Sequence, residues 1–291
     1  MASAPDAVLS IQSQVSYGHV GNSAAVLPLQ RLGFDVFPVN TVQLAHHPGH
    51  GAWRGHKVEP EQLREILRGL EERGALARCA AVLSGYLGDP AVAEVVRRAL
   101  GAVRAARPDA LYLCDPVIGD DGPGVFVAAG IPERMRADLV PLADIVTPNR
   151  FELSLLADRE VASLDDAIAA AAAIRALGPR LVVATGLPLP ARPDHVAVLG
   201  ASADESWLVS TPRMPVTFGG TGDAFSALFL GHFLREGNLR SALESAVSAI
   251  FALVERSFES GADELRLVAA QDELVSADVR FPAEPLRLGP G

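Results

Sequence analysis

Cysteine is scarce: Cys79 and Cys114 are the only two in 291 residues, each within or beside an apolar stretch. Two small buried hydrophobes are expected there, and neither a disulfide framework nor a thiolate metal site. Long apolar runs are missing too, since none approaches the roughly 20 residues that span a bilayer. The start, Met1 to Ala7, has no basic n-region and no apolar h-region, so a cytoplasmic chain with no membrane partner is expected. Positive charge is in deficit, with 25 Lys and Arg against 35 Asp and Glu and a formal charge of -10. That field repels phosphate backbones, and no nucleic-acid partner is expected. An anionic substrate must instead be held by local backbone dipoles and a metal. Internal repeats and low-complexity tracts are absent, and helix propensity accounts for the Ala-rich stretch 167–173.

What the sequence does contain is a 49% hydrophobic composition, enough to bury one large core. One domain over residues 1–291 is expected, with frayed tails at 1–6 and 283–291. Apolar runs of strand length alternate with longer amphipathic segments, the pattern of an α/β protein on a mostly parallel sheet flanked by helices on both faces. Strands are expected at 8–11, 36–39, 80–83, 111–114, 145–146 and 181–184. Helices are expected over 60–73, which opens on a Pro and closes on Gly74, and over 164–177, which opens after Ser163 and closes on Gly178. Polar or glycine residues follow the strands: Ser13, then Ser84-Gly85-Tyr86, Asp115, Thr147-Pro148-Asn149 and Thr185-Gly186. Open α/β sheets bind ligands beyond the carboxyl ends of their strands, so these residues outline a site. Turn chemistry alone would also put polar residues there.

The strongest local signal is Gly219-Gly220-Thr221-Gly222-Asp223, followed at once by a helical pattern over 224–234. Three glycines before a helix let the chain turn its N–H groups toward one point, and the helix start adds partial positive charge. That geometry suits phosphate. Asp223 is the odd member, because a carboxylate beside an anion cradle needs its own task, such as taking a proton from an attacking hydroxyl; its alternative is simply to favour the helix start. The loop lacks the Lys of a P-loop, and it lies too late in the chain for a Rossmann first turn.

Several motifs then occur in order: Ser10-Ile11-Gln12-Ser13, Tyr17-Gly18-His19-Val20-Gly21-Asn22-Ser23, Asn40-Thr41-Val42-Gln43, Leu83-Ser84-Gly85-Tyr86, Cys114-Asp115-Pro116-Val117-Ile118-Gly119-Asp120, Thr147-Pro148-Asn149-Arg150-Phe151-Glu152, the glycine loop, and Val268-Ala269-Ala270-Gln271-Asp272. Over roughly residues 7 to 275 the chain resembles the pyridoxal kinases of the ribokinase-like superfamily. The resemblance implies a ribokinase-like fold without a separate lid domain and phosphorylation of the 5'-hydroxymethyl group of pyridoxal, with pyridoxine and pyridoxamine as further candidates. ATP and Mg2+ are the implied cofactors, with K+ as a further candidate, and the implied assembly is a homodimer.

The resemblance also implies residue roles. Asp223 is the base, and the backbone of Gly220, Thr221 and Gly222 forms the anion hole. Ser13 contacts the pyridine nitrogen, with Tyr86, Val20 and His47 also at the substrate. Asp115, Glu152 and Thr147 form the metal group, in keeping with the oxygen ligands Mg2+ prefers. Asp120, Asn149, Thr185, Met214, Phe218, Gly220 and Thr221 lie on the ATP side, Met214 and Phe218 covering the adenine. Read from the residues alone, Asp115 is a turn aspartate before Pro116, Glu152 a first-turn helix acid and Ser13 a strand end.

One departure stands out. The family often reads Asn-His-Thr where this chain has His46-His47-Pro48, so a hydroxyl near the substrate is lost. His46, His47 and His50 read either as metal ligands or as part of a loop covering the substrate. Rival functions are a hydroxymethylpyrimidine kinase, which typically carries Cys at the position of Asp223, a sugar kinase, which usually adds a strand-rich lid, and a non-catalytic vitamin-binding relative, which would have lost its acids.

Overall fold

A computed structural model describes residues 6–276 and 278–286. In chain order, β1 (Ala7–Val15) leads through a glycine turn to α1 (Asn22–Arg31), followed by β2 (Asp35–Leu44), β3 (Gly55–Lys57) and α2 (Pro60–Glu72). Next come β4 (Cys79–Ser84), α3 (Val92–Ala106), β5 (Leu111–Cys114), a small flap of β6 (Gly119–Asp120) and β7 (Gly124–Val125), and the short α4 (Ile131–Arg134). The remainder comprises β8 (Ile145–Val146), α5 (Arg150–Ala157), α6 (Leu164–Arg175), β9 (Leu181–Pro188), β10 (His195–Ala201), β11 (Ser206–Pro212), α7 (Thr221–Glu236), α8 (Leu239–Glu259) and β12 (Glu284–Pro285).

All strands but the flap pair join one 10-stranded sheet in the order β12-β11-β10-β9-β8-β5-β4-β1-β2-β3. From β9 to β2 every pairing is parallel, so the carboxyl ends of these strands share one edge. The alternation of side chains across a strand explains why both faces are covered. On β1, Leu9 and Ile11 enter the core shared with α3 and α6, while Val8 enters the core shared with α1, α7 and α8. On β5, Tyr112 and Cys114 face the first core and Leu113 the second. Both cysteines are buried and free. No helix among the described residues is long and apolar enough to cross a membrane.

Local punctuation sets the helices. Pro60 occupies the first turn of α2, and Ser163 with Asp166 forms a capping box at the start of α6. Both helices begin where the sequence pattern puts them and end within two residues of it. Departures from the expected elements concentrate at the sheet's margins. β1, β2 and β9 run longer than the apolar cores of their segments, and β10 and β11 form an antiparallel hairpin. The expected frayed tail at 283–291 is docked as far as it is described. Ala283 is buried, its N–H donates to Glu244 Oε1 at 2.8 Å, and β12 pairs with β11. Asp6, expected in the other tail, is tied to Arg107 at 2.6 Å; residues 1–5 and 287–291 lie outside the described residues.

Candidate active site

Three carboxyl groups converge at the shared strand edge. Asp115 follows β5 directly and is 6% exposed, Glu152 sits in the first turn of α5 at 4%, and Asp223 sits in the first turn of α7. Ser226, one helical turn after Asp223, donates to Asp115 Oδ2 at 2.9 Å and lies 2.8 Å from the Thr147 hydroxyl. Spacing of three along a helix puts Asp223 and Ser226 on one face. Glu152 accepts from the backbone N–H groups of Ile118 at 2.9 Å, Asn149 at 3.0 Å and Gly119 at 3.4 Å.

The electrostatics follow from burial without a basic partner. Desolvation, then the charges of Glu152 and Asp223, push the Asp115 carboxyl well above the usual range, against the lowering bond from Ser226. Desolvation raises Glu152 to about 7 despite its three backbone donors. Asp223 is raised by desolvation as well, opposed by a bond from the Gly21 N–H. Each of the three is thereby biased toward its protonated form. Their oxygens are the donor type a hard divalent cation takes, although no group of three His, Cys, Asp or Glu among the described residues is already arranged to hold one.

The glycine loop meets a second glycine turn. Gly220 has φ +81°, and a Cβ there would lie 1.7 Å from the His19 carbonyl oxygen, so no larger residue fits. Gly21 has φ +56°, and its Cβ would lie 2.2 Å from Ser13 Oγ. Thr221 Oγ1 donates to the Phe218 carbonyl at 3.0 Å and closes the turn. The first N–H groups of α7 have no intrahelical acceptor and, with the helix dipole, form an anion site. Beside it, Val15, Val20, Val42 and Leu44 form a small apolar cluster against which Tyr86 packs, with the Tyr86 carbonyl accepting from Thr41 Oγ1 at 2.7 Å. Val20 Cγ1 and the His47 ring both lie within 4 Å of where a Gly219 Cβ would stand.

Val20 and His47 thus lie against Gly219, Tyr86 packs with Val20, and Ser13 lies against Gly21, while Asp115 and Thr147 meet at Ser226. Asp120 is exposed on the flap and Thr185 is half-buried, its N–H donating to the Pro148 carbonyl at 2.9 Å. Two of the expected ATP-side residues are engaged within the protein. Asn149 uses its amide in structure: Oδ1 accepts from the Glu152 N–H at 2.9 Å and Nδ2 donates to the Gly119 carbonyl at 2.8 Å. It caps α5 and holds the flap at the same strand edge. Phe218 is 6% exposed and packed in the core with α7 and α8, while Met214 alone of the pair is half-buried.

In the histidine loop, His46 Nδ1 lies 2.9 Å from the His47 carbonyl, His47 Nδ1 accepts from the Gly49 N–H at 3.2 Å, and His50 Nε2 meets Glu264 at 2.5 Å. The His46 and His50 rings also meet edge to face, with centroids 6.0 Å apart. Sequence reasoning gave no role to Ser226, Gly21 or Glu264; Gly21 lay within a quoted motif, and Ser226 offered only its helical spacing from Asp223, which singles out no serine.

Comparison with known proteins gives this arrangement its context. Residues 49–267 match the phosphomethylpyrimidine kinase family model. The chain is 50% identical over 277 residues to the pyridoxal kinase PdxY of Rubrobacter xylanophilus, covering 94% of this chain and 96% of that protein. It is 48% identical over 287 residues to the pyridoxal kinase PdxY of Deinococcus radiodurans, covering 96% of each. The fold superposes on the pyridoxal kinase of Leishmania donovani, solved in complex with ADP and pyridoxine, with a TM-score of 0.90 at 33% identity, covering 97% of this chain and 99% of that one. A parallel sheet with a late glycine loop opening a helix, and acids at the strand ends, defines a small-molecule kinase of ribokinase-like fold. Within that class, the chain belongs to the pyridoxal kinase family.

Proposed function

We propose that the chain transfers the γ-phosphoryl group of ATP to the 5'-hydroxymethyl oxygen of pyridoxal and related B6 vitamers. The observation that carries the proposal is Asp223, a half-buried carboxylate in the first turn of α7 beside the glycine loop. A negative charge there works against phosphate binding unless it serves as a base. The full-length likeness to pyridoxal kinases, one of them solved with ADP and pyridoxine, supports the substrate class.

In this mechanism the vitamer ring lies against Tyr86 and Val20, with Ser13 at the ring nitrogen and His47 at its edge. Asp223 takes the proton of the 5'-hydroxyl as its oxygen attacks the γ-phosphorus. The new O–P bond forms as the bond from phosphorus to the β,γ-bridging oxygen breaks, and ADP leaves with that electron pair. The N–H groups of Gly220, Thr221 and Gly222 receive the charge spread over the transferring oxygens. Thr185, Asp120 and Met214 border the nucleotide. Asp115 and Thr147 would hold Mg2+, with Glu152, its oxygens already accepting backbone bonds, reaching it through water. When bound, Mg2+ neutralises phosphate charge. We also assign the chain a homodimeric, cytoplasmic state; sedimentation at twice the chain mass tests the first part.

The test is a panel of pyridoxal, pyridoxine, pyridoxamine, hydroxymethylpyrimidine and ribose with ATP and Mg2+, scored by ADP release in Na+ and in K+. Turnover of B6 vitamers is expected. Turnover confined to the pyrimidine or ribose would overturn the reading, and equal rates in both salts would remove K+.

A further inference from the structure

Glu264 is an acid that the proposed chemistry does not use, yet it is 7% exposed and lies beside the site. It belongs to the segment after α8, which is pinned by Leu265 and Leu267, both fully buried, and by the Arg266 N–H donating to Ser257 Oγ at 2.9 Å. From that fixed base its two oxygens reach two different loops. Oε1 accepts from His50 Nε2 at 2.5 Å and Oε2 accepts from the His19 N–H at 3.2 Å. Gly18 must be glycine for this to happen, because φ is +86° and a Cβ would stand 2.4 Å from the Glu264 carboxyl carbon. The neighbouring Asp263 accepts from the Tyr17 hydroxyl at 3.0 Å, so the glycine turn is held twice.

Both loops border the ring subsite. Residues 46–54 carry His47, which lies against Gly219, and the turn carries Val20 and the His19 carbonyl on which Gly220 rests. We infer that Glu264 is a positioning residue for the vitamer, tying the covering loop through His50 to the glycine turn through His19. This rests on the functional reading above and adds to it the element that holds the ring cover shut. Pro48 takes the place of a hydroxyl usual in the family, so the cover must act by its position more than by a bond to the substrate. Such a cover sets affinity for the ring and leaves ATP and the transfer step alone.

The test compares full-length wild type with His50→Ala, Glu264→Ala and the double variant. Each single change is expected to raise the pyridoxal KM about tenfold, as for loss of one hydrogen bond to a charged group, with kcat and the ATP KM within about twofold. The double variant should match Glu264→Ala, since the two residues act as one unit. Hydrogen exchange at residues 46–54 should quicken in every variant while α7 is unchanged. An unchanged pyridoxal KM, multiplying effects in the double variant, or an equal rise in the ATP KM would overturn the inference. If Glu264→Ala does not fold, His50→Ala decides alone, because its ring is partly exposed and its loss removes only the tether. A wild-type enzyme inactive on pyridoxal would sink the functional reading, whereas quickened exchange at residues 46–54 in the variants would still support the tether and unchanged or slowed exchange would overturn it.

Discussion

Asp223 has two candidate duties at the start of α7, base and helix-start anion, and substitution separates them. Asp223→Asn keeps the size, and Asn suits a helix start. Turnover is expected to fall roughly 10²- to 10⁴-fold, the usual span for a general acid-base group, with the pyridoxal and ATP KM values little changed. Steady-state kinetics on protein of wild-type melting temperature checks this, and near-normal kcat would return Asp223 to a structural part. An acid in a glycine loop stands out in the sequence in this way, whereas Asp115 before Pro116 reads as a turn aspartate and takes a role only from the resemblance. Ser226 does not stand out, since one serine in an apolar helix has many uses and only the fold brings it to Asp115. Asn149 was legible as a residue that matters but not for what it does. Glu152, three residues on, completes a capping box with it.

At the scale of elements, the central strands were legible because burial on both faces makes them continuous apolar runs, and Leu111–Cys114 and Ile145–Val146 match their expected bounds. The β10–β11 hairpin was not, because its signal is a weak alternation across the Ser202–Glu205 turn and it lies outside the parallel pattern. The flap of β6 and β7 has four residues in strand form and was hidden for the same reason. Its stability comes from outside: the Asn149 amide holds the Gly119 carbonyl, and Arg150 forms a two-pronged ion pair with Asp121. Asn149→Ala removes both the α5 cap and the flap bond. Loss of the cap is expected to cost about 1 kcal/mol of stability, read as a lower urea midpoint. The ATP KM should rise as well, because the flap carrying Asp120 loses its anchor. A lower midpoint with an unchanged ATP KM would show that Asn149 serves α5 alone.

At the scale of the whole molecule, a chain with a formal charge of -10 buries Asp115 and Glu152 and half-buries Asp223 near them, and this makes its stability depend on pH in a definite direction. Glu152 is raised from 4.5 to about 7 in the folded chain, and Asp115 and Asp223 are raised in the same direction. Between the unfolded and folded values the native state binds more protons than the unfolded one. Stability of the ligand-free protein must then fall as pH rises through that window, by up to about 1.4 kcal/mol per pH unit for each group in transition. For Glu152 the loss runs from about 4.5 to about 7 and is complete above. The surface acids paired with arginine, such as Glu94, lowered from 4.5 to about 2, lose their contribution as pH falls from about 4.5 to about 2, so the two trends occupy separate ranges. Thermal midpoints from pH 5 to 8.5 are expected to decline, and Asp115→Asn, which deletes one buried charge while keeping an acceptor for Ser226, should flatten the decline and raise the midpoint at pH 8. Added Mg2+ should stabilise more at pH 8 than at pH 5.5, because protons and the cation compete for the same oxygens. An Asp115→Asn protein with the wild-type slope, and a Mg2+ effect independent of pH, would mean that the three carboxyl groups neither share a field nor hold the cation.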